Sequence, residues 1–262
     1  QHQGVPSSRI VARLSGTGSH KCGWNQNIVL YKLIIMLCFR TSDSKPKMPM
    51  DFYYLPPSPP CRSVMLLAKA LDVELNMKMV NVMAGEHLTP EFIKMNPQHT
   101  LPTMNDDGFV LWESRAILGY LVNQYGSDDS YYPKEPKKKA LVDQRLYFDA
   151  GTLHQRLFEY FYPVAFTGAE PQPEKLEKVG KALDFLNAFL EGQEYAAGDS
   201  LTIADIALVV SVSNADVLGV DISAYPNVSS WYERMKTELP GYDEINQAGA
   251  NAFGQIFQSK LS

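Results

Sequence analysis

Residues 96–120 constrain the fold of this chain more than any other stretch, because they fit a strand, a tight turn, a strand and a helix in succession. Two short apolar runs, 101–104 and 109–112, flank Asn-Asp-Asp-Gly, whose residue types tolerate the positive φ of a hairpin turn. The next residues, Glu-Ser-Arg, begin a helix with Ser114 expected at its N-cap and apolar residues at helical spacing behind it. The stretch predicts a β-hairpin that leads directly into a helix.

Pro102 falls inside the first apolar run, where a residue without an N–H weakens a strand. It must lie at a strand start, at a sheet edge, or after a cis peptide bond that turns the backbone of Leu101 outward. The exposed N-terminus of a helix binds carboxylates through its free N–H groups and its dipole. A helix start beside an outward-turned backbone is therefore a candidate anion-binding site.

A proline-rich loop, residues 56–60, lies between an expected strand at 51–55 and an expected helix at 61–71. Ser58 in this loop precedes the helix, where backbone dipoles stabilise an anion and a hydroxyl can donate a hydrogen bond to a thiolate. Ser58 and Cys61 also have the spacing of a Cys-x-x-Cys redox motif, with serine at the first position. Redox chemistry needs a thiolate of low pKa at that first position, so disulfide chemistry is not predicted.

A second expected strand, 75–82, leads to a loop containing His87 and to a short helix with Thr89 as its cap and Pro90 at its first position. Taken in order, these motifs resemble the cytosolic glutathione transferases, most closely the insect delta class. The resemblance covers residues 50–262 and is carried by His-Thr-Leu-Pro-Thr at 99–103 and Trp-Glu-Ser-Arg-Ala-Ile at 112–117.

The resemblance implies a fold, a reaction and a set of site residues. The fold is an α/β thioredoxin-like N-terminal domain at 50–132 followed by an all-α C-terminal domain at 136–262. Ser58 is implied as the catalytic serine, which donates a hydrogen bond that lowers the pKa of the glutathione sulfur. A cis-proline loop and a Glu-Ser pair are implied to hold the tripeptide, and the expected glutathione-binding residues are His87, His99, Leu101, Pro102, Glu113, Ser114 and Arg115.

The hydrophobic second substrate is expected between the domains, in a cleft lined by apolar and aromatic groups. The residues implied for this cleft are His154, Leu157, Phe158, Phe161, Tyr162 and Phe253, with Phe257 as an alternative to Phe253. One departure from the family pattern concerns Ser58, because Pro57 stands where glycine is usual and Pro59 where a small residue is usual. Proline stiffens the loop and restricts ψ of the residue before it.

The C-terminal half shows helical periodicity after a polar, proline-broken linker at 126–139, which few contacts are expected to cross. One helical segment is expected to run from 140 to a break at Tyr162-Pro163, a second over 171–192, and another within 226–240. Thr202 and Asp205 have the spacing of a capping box, with Leu201 and Ile206 as a hydrophobic staple. Asp205 is therefore expected to hold a helix start and not to act as a catalytic acid.

Composition narrows the function classes. The chain has 262 residues and 24 basic against 29 acidic side chains, a net charge of −5, without a basic cluster for nucleic acid. Cys22, Cys38 and Cys61 fit neither a disulfide framework nor a metal site, which indicates a reducing, cytoplasmic location. Residues 1–47 match no signal peptide and contain no membrane span, so they are expected to be a translated leader or a mispredicted upstream exon; a membrane-tethering arm is the alternative.

The expected activity is conjugation of glutathione, as co-substrate and without a tightly bound cofactor, to hydrophobic electrophiles in detoxification. The same thiolate acting as a base would eliminate HCl from chlorinated compounds, and acting on organic hydroperoxides it would give a peroxidase. A homodimer is implied by the family. The alternative is a glutathione-dependent carrier protein in which the Pro57 change has removed turnover. The natural electrophile is not predicted by the sequence.

Overall fold

In the computed structural model, which describes residues 49–261, four strands form one mixed sheet in the order β2-β1-β3-β4. The strands are β1 Met50–Tyr54, β2 Leu75–Met79, β3 Thr103–Asp106 and β4 Phe109–Trp112. β1 and β2 are parallel, whereas β3 is antiparallel to both β1 and β4. Helix α1, Pro59–Ala70, makes the crossover that a parallel pair requires. This arrangement is the thioredoxin-like sheet that the sequence predicted.

The strand boundaries differ from the prediction by a few residues. β2 ends at Met79 instead of 82, and β3 begins at Thr103 instead of 101, after a cis Leu101–Pro102 bond. The hairpin turn contains two residues and not four, because Asp106 pairs with Phe109. Asp107 and Gly108 both have positive φ, 50° and 92°, as a two-residue hairpin turn requires.

The short helices after β2 follow the predicted capping. A 3₁₀ turn at Glu86–Leu88 precedes α2, Pro90–Met95, and the Thr89 hydroxyl accepts a hydrogen bond from the backbone N–H of Phe92. Helix α3 is Ser114–Tyr125, and its N-cap is Glu113 and not Ser114, so that prediction is wrong. Glu113 has a φ of 70°, and the Ser114 hydroxyl accepts a hydrogen bond from Arg115 instead of capping the helix.

The C-terminal half is helical. Its helices are α4 Pro136–Phe148, α5 His154–Thr167, α6 Pro173–Phe189, α7 Ile203–Val217, α8 Pro226–Glu238 and α9 Ala248–Gln258. A π-helical turn, Asp149–Leu153, joins α4 to α5, a 3₁₀ turn, Ile222–Ala224, precedes α8, and a second π-helical turn, Tyr242–Gln247, precedes α9. The predicted break at Tyr162-Pro163 is wrong, because α5 continues through Pro163 and ends before Gly168. Buried Phe161, Val164 and Ala165 pack this part of α5 into the core, so tertiary packing outweighs the missing N–H.

Helix α7 lies at the centre of the hydrophobic core. All its residues from Ile203 to Ala215 are buried, and the predicted capping box of Thr202 and Asp205 is present. The sheet, α1 and the C-terminal helices share one continuous hydrophobic cluster. The segment between α3 and α4 also packs against this core, through Tyr131. The carbonyl of Tyr131 accepts a hydrogen bond from Ile203 N–H at 2.9 Å. The expectations for residues 1–47 lie outside the described residues.

Candidate active site

Ser58 lies at the N-cap of α1 with the extended backbone typical of that position, φ −68° and ψ 119°. Its hydroxyl makes no capping hydrogen bond to the helix, while Pro59 and Pro60 occupy the first helical positions. The half-buried Ser58 lines an apolar cavity of about 250 Å³. The loop therefore presents a hydroxyl to this cavity at the positive end of a helix dipole.

Cys61 is fully buried one turn into α1. Burial raises the pKa of its thiol to about 11, although hydrogen bonds from Ser58 and the backbone of Leu55 oppose this. A thiol of that pKa carries almost no thiolate at neutral pH. The expectation that Cys61 performs no redox chemistry agrees with this environment.

A second cavity of about 250 Å³ adjoins the first and has a more polar wall. Its walls come mainly from the loop around Pro102, the start of α3 and the π-helical turn before α5. The lining residues are Pro60, Thr100, Leu101, Pro102, Glu113, Ser114, Arg115, Ala150 and His154. Five of the seven predicted glutathione-binding residues therefore line one cavity. Positive φ at Glu113 turns the chain sharply there, a conformation that non-glycine residues adopt at an energetic cost.

Arg115 is fixed by a chain of polar contacts that leads into the helical half. Its Nε donates to Asp149 Oδ2 at 3.1 Å, its Nη2 forms an ion pair with the same oxygen, and Ser211 Oγ donates to Asp149 Oδ1 at 2.6 Å. Asp149 is fully buried and lies in the π-helical turn. A guanidinium held in this way is positioned before any ligand binds, which reduces the entropy lost on binding.

His87 and His99 lie beside each other, with ring centroids 6.0 Å apart, but neither lines either of the two cavities. His99 is exposed and has a φ of 45°, and the Nδ1 atom of the half-buried His87 is buried with no hydrogen-bond partner among the described residues. Contact of these histidines with glutathione stays a prediction.

The apolar cavity has the predicted aromatic character. His154, Leu157, Phe158, Phe161 and Phe253 line it, and the rings of Phe161 and Phe253 stack at 3.7 Å. Tyr162 does not line it; the tyrosine is 43% exposed and stacks on Phe158 with centroids 4.9 Å apart. The alternative tail residue, Phe257, is buried in the core.

Several lining residues were not predicted from the sequence. In the apolar cavity they are Leu55, Pro57, Pro59, Pro60, Phe166, Asn214 and Ile256; Ser58 and Leu101, which were predicted as the catalytic serine and as a glutathione-binding residue, also line it. Phe166 was missed because α5 was expected to end earlier, although it continues the spacing of Phe158 and Tyr162 by four residues. Asn214 carries no signal that separates it from the other polar residues of the same helix, which are Asp205, Ser211, Ser213 and Asp216.

Asn214 connects the cavity to a buried cation. Arg62, fully buried in α1, donates to Asn214 Oδ1 and to the backbone carbonyl of Asn246 at 2.9 Å. Within the described part of the chain no carboxylate forms an ion pair with Arg62, and burial lowers its pKa to about 10. A hydrogen bond from Arg62 of α1 to Asn214 of α7 therefore fixes one lining residue of the apolar cavity.

Within residues 49–261, no group of three or more His, Cys, Asp or Glu side chains is arranged to hold a metal ion. In the same residues, no helix has both the length and the apolar character needed to cross a bilayer.

Comparison with known proteins identifies the family. Residues 48–123 match the glutathione S-transferase N-terminal domain and residues 130–238 the glutathione S-transferase C-terminal domain. A delta-class glutathione transferase of Nilaparvata lugens is 53% identical with a TM-score of 0.79, over 81% of this chain and 100% of that one. An epsilon-class glutathione S-transferase of the housefly Musca domestica is 42% identical with a TM-score of 0.78, over 80% and 98% of the two chains.

A third solved structure is a glutathione transferase homologue of Drosophila mojavensis with bound glutathione, 39% identical with a TM-score of 0.77, over 80% of this chain and 97% of that one. The matched domains cover most of residues 48–238. The chain therefore belongs to the glutathione S-transferase family and is a glutathione transferase, an enzyme that conjugates glutathione to electrophiles.

Proposed function

We propose that the enzyme activates glutathione at the N-terminus of α1 and transfers its sulfur to hydrophobic electrophiles held in the apolar cavity. The observation that carries this proposal is the meeting of the two cavities: Pro60, Leu101 and His154 line both of them, and Ser58 lies on the wall of the apolar one. A tripeptide in the polar cavity would thus bring its sulfur towards Ser58 and the second substrate.

The proposed role of Ser58 is to donate its hydroxyl hydrogen to the glutathione thiolate. The hydroxyl makes no capping hydrogen bond to the backbone of α1, and the α1 dipole places partial positive charge at the same point. Both interactions favour the ionised form of the thiol and so lower its pKa. The thiolate sulfur then attacks the electrophilic carbon, and the leaving group or the electron pair of a double bond takes up the displaced charge.

The proposed glutathione contacts divide between backbone and side chains. The backbone at Leu101, which lines the polar cavity, would pair with the cysteinyl unit, as an extra strand pairs with a sheet edge. Glu113 and Ser114, at the N-terminus of α3, would hold the γ-glutamyl end, and Arg115 would orient it through its charge. His87 and His99 would meet the glycine carboxylate. The homologue with bound glutathione supports this class of ligand.

The wider role we propose is detoxification of hydrophobic electrophiles by a cytoplasmic homodimer. Elimination of HCl from chlorinated compounds would use the same thiolate as a base. The apolar lining favours such substrates, since the walls of the cavity are mostly aromatic or aliphatic. Sedimentation velocity would test the dimer, and release of chloride from a chlorinated insecticide would test the elimination.

Substitution Ser58→Ala tests the mechanism. We expect kcat/KM for conjugation of a chloronitrobenzene to fall on the order of a hundredfold, because one donor to the developing charge is lost. We expect the pKa of enzyme-bound glutathione, read from thiolate absorbance in the ultraviolet, to rise. Calorimetric binding of glutathione serves as the control and should change little. Unchanged turnover in the variant would contradict the role of Ser58.

The proline-flanked loop supports a separate test of the carrier alternative. Pro57 and Pro59 restrict the backbone on both sides of Ser58. If they hold the hydroxyl away from the sulfur, the wild-type protein will bind glutathione without turnover, and Pro57→Gly will raise the conjugation rate at unchanged glutathione affinity. Turnover by the wild-type protein favours the enzyme over the carrier.

A further inference from the structure

The apolar cavity contains one titratable side chain among its described lining residues, that of His154. The remaining lining groups are aliphatic, aromatic or proline, apart from Ser58 and Asn214. Ser58 is assigned above to the sulfur, and Asn214 is tied through its side-chain oxygen to Arg62. His154 is therefore the polar group of this wall that neither the proposed mechanism nor the packing uses.

The position of His154 places it between the two substrates. It is the first residue of α5, directly after the π-helical turn, and it lines both the polar and the apolar cavity. The ring is half-buried, and no hydrogen bond joins it to another residue within 49–261. A polar ring without a protein partner at this junction is available to a ligand.

Burial, more than the neighbouring charges, keeps the imidazole of His154 neutral. Burial lowers its pKa to about 4; Arg115 on α3 and Arg62 on α1 act in the same direction, and Asp149 in the π-helical turn opposes them. A neutral imidazole has one N–H donor and one nitrogen acceptor. At neutral pH His154 can thus donate a hydrogen bond without bringing a charge into the cavity.

We propose that His154 is a specificity-determining residue that favours electrophiles whose oxygen gains negative charge during the reaction, namely α,β-unsaturated carbonyl compounds. This proposal rests on the proposed function. The thiolate sulfur forms a bond to the β-carbon, and the π electrons of the C=C bond move to give an enolate. The enolate oxygen accepts a hydrogen bond from the N–H of His154. The α-carbon then takes a proton from water, which replaces the proton that the glutathione thiol released. A preorganised donor aimed at developing charge accelerates such a step.

An alkyl halide reacts through the same thiolate but develops no charge on oxygen, so it provides the comparison. The test measures kcat/KM of the full-length enzyme for the conjugated aldehyde hexenal and for iodohexane, which has the same chain length. We expect the ratio of the two values to fall at least tenfold in His154→Leu, which keeps an apolar wall but removes the donor. We expect His154→Gln, which retains a neutral N–H donor, to recover most of the ratio.

A matched variant, Phe158→Leu, changes the volume of the same cavity without changing its polar groups, and its ratio should stay within about threefold of wild type. The proposal is overturned if His154→Leu leaves the ratio unchanged, or if Phe158→Leu lowers it as much. If the proposed function itself is wrong, the wild-type protein will conjugate neither hexenal nor iodohexane. That result is distinct from an unchanged ratio in His154→Leu. Circular dichroism melting curves of the three variants separate unfolding from altered selectivity.

Discussion

Gly249 is a position at which the tail helix packs closely against the N-terminal half. A Cβ atom added there would lie 2.3 Å from Cδ of Arg62 and 2.8 Å from the carbonyl oxygen of Pro56. Arg62 cannot easily move aside, since it is fully buried and hydrogen-bonded to Asn246. Only glycine permits this approach of α9 to α1.

We expect Gly249→Ala to lower the free energy of unfolding by about 1–3 kcal/mol, the usual cost of overpacking. Urea denaturation followed by circular dichroism measures this. Gly151→Ala is the matched control, because an added Cβ there meets no atom within 4 Å. Equal stability of the two variants would show that the packing around Arg62 yields easily to an extra methyl group.

At the scale of the element, α7 depends on the cap at its buried N-terminus. Asp205 is fully buried and accepts hydrogen bonds from Ala196 N–H at 2.7 Å, Thr202 N–H at 2.9 Å and the indole N–H of Trp231 at 3.0 Å. Helix α7 is buried over most of its length, so the cap fixes where the central helix of the core begins. The Thr202 hydroxyl donates to the same carboxylate at 3.0 Å, so removing the carboxylate takes this acceptor from four buried donors.

Asp205→Ala should therefore lower the free energy of unfolding by at least about 3 kcal/mol, since each unpaired buried donor costs on the order of 1 kcal/mol or more. Asp221→Ala is the comparison, because exposed Asp221 caps only the short turn Ile222–Ala224. A lost exposed cap costs about 1 kcal/mol. Differential scanning calorimetry of both variants provides the measurement, and similar losses in the two would argue against a special role for the buried cap.

At the scale of the whole molecule, the sheet and the C-terminal helices share one core. Residues 48–262 form one compact unit. Within it, Arg62 of α1 donates hydrogen bonds to Asn214 and Asn246, which lie 152 and 184 positions further along the chain. Because the sheet and the C-terminal helices bury their apolar surfaces against each other, neither half can unfold while the other stays folded. The proposed domain boundary at 132–136 thus separates two folds and not two independently stable units.

We expect Arg62→Ala to accelerate amide hydrogen exchange in β3 and in α8 to the same extent, because both report one cooperative unfolding reaction. Hydrogen–deuterium exchange with mass spectrometry resolves the two elements. Lys69→Ala, a change at an exposed position of the same helix, should leave both rates near those of wild type. Faster exchange confined to β3 would show instead that the sheet unfolds by itself.

The sequence alone determined features whose causes lie within a few residues. By resemblance to a known family, the order of motifs implied both the fold and the reaction, while Asn-Asp-Asp-Gly predicted the hairpin and Thr89 and Thr202 predicted helix starts. These signals are local because a turn or a cap is decided by φ, ψ and hydrogen bonds of neighbouring residues. For Pro102 the local signal left three possibilities, and the structure shows the cis bond.

Tertiary structure decided what depends on distant parts of the chain. In the folded protein the N-cap of α3 is Glu113 instead of Ser114, α5 continues past Pro163, and Tyr162 lies outside the apolar cavity. Tertiary structure also brought His154 to the junction of two cavities, which no spacing in the sequence indicates. The physical reason is that burial and packing bring together residues far apart in the chain, and their combined free energy outweighs the local preference of a proline or a serine.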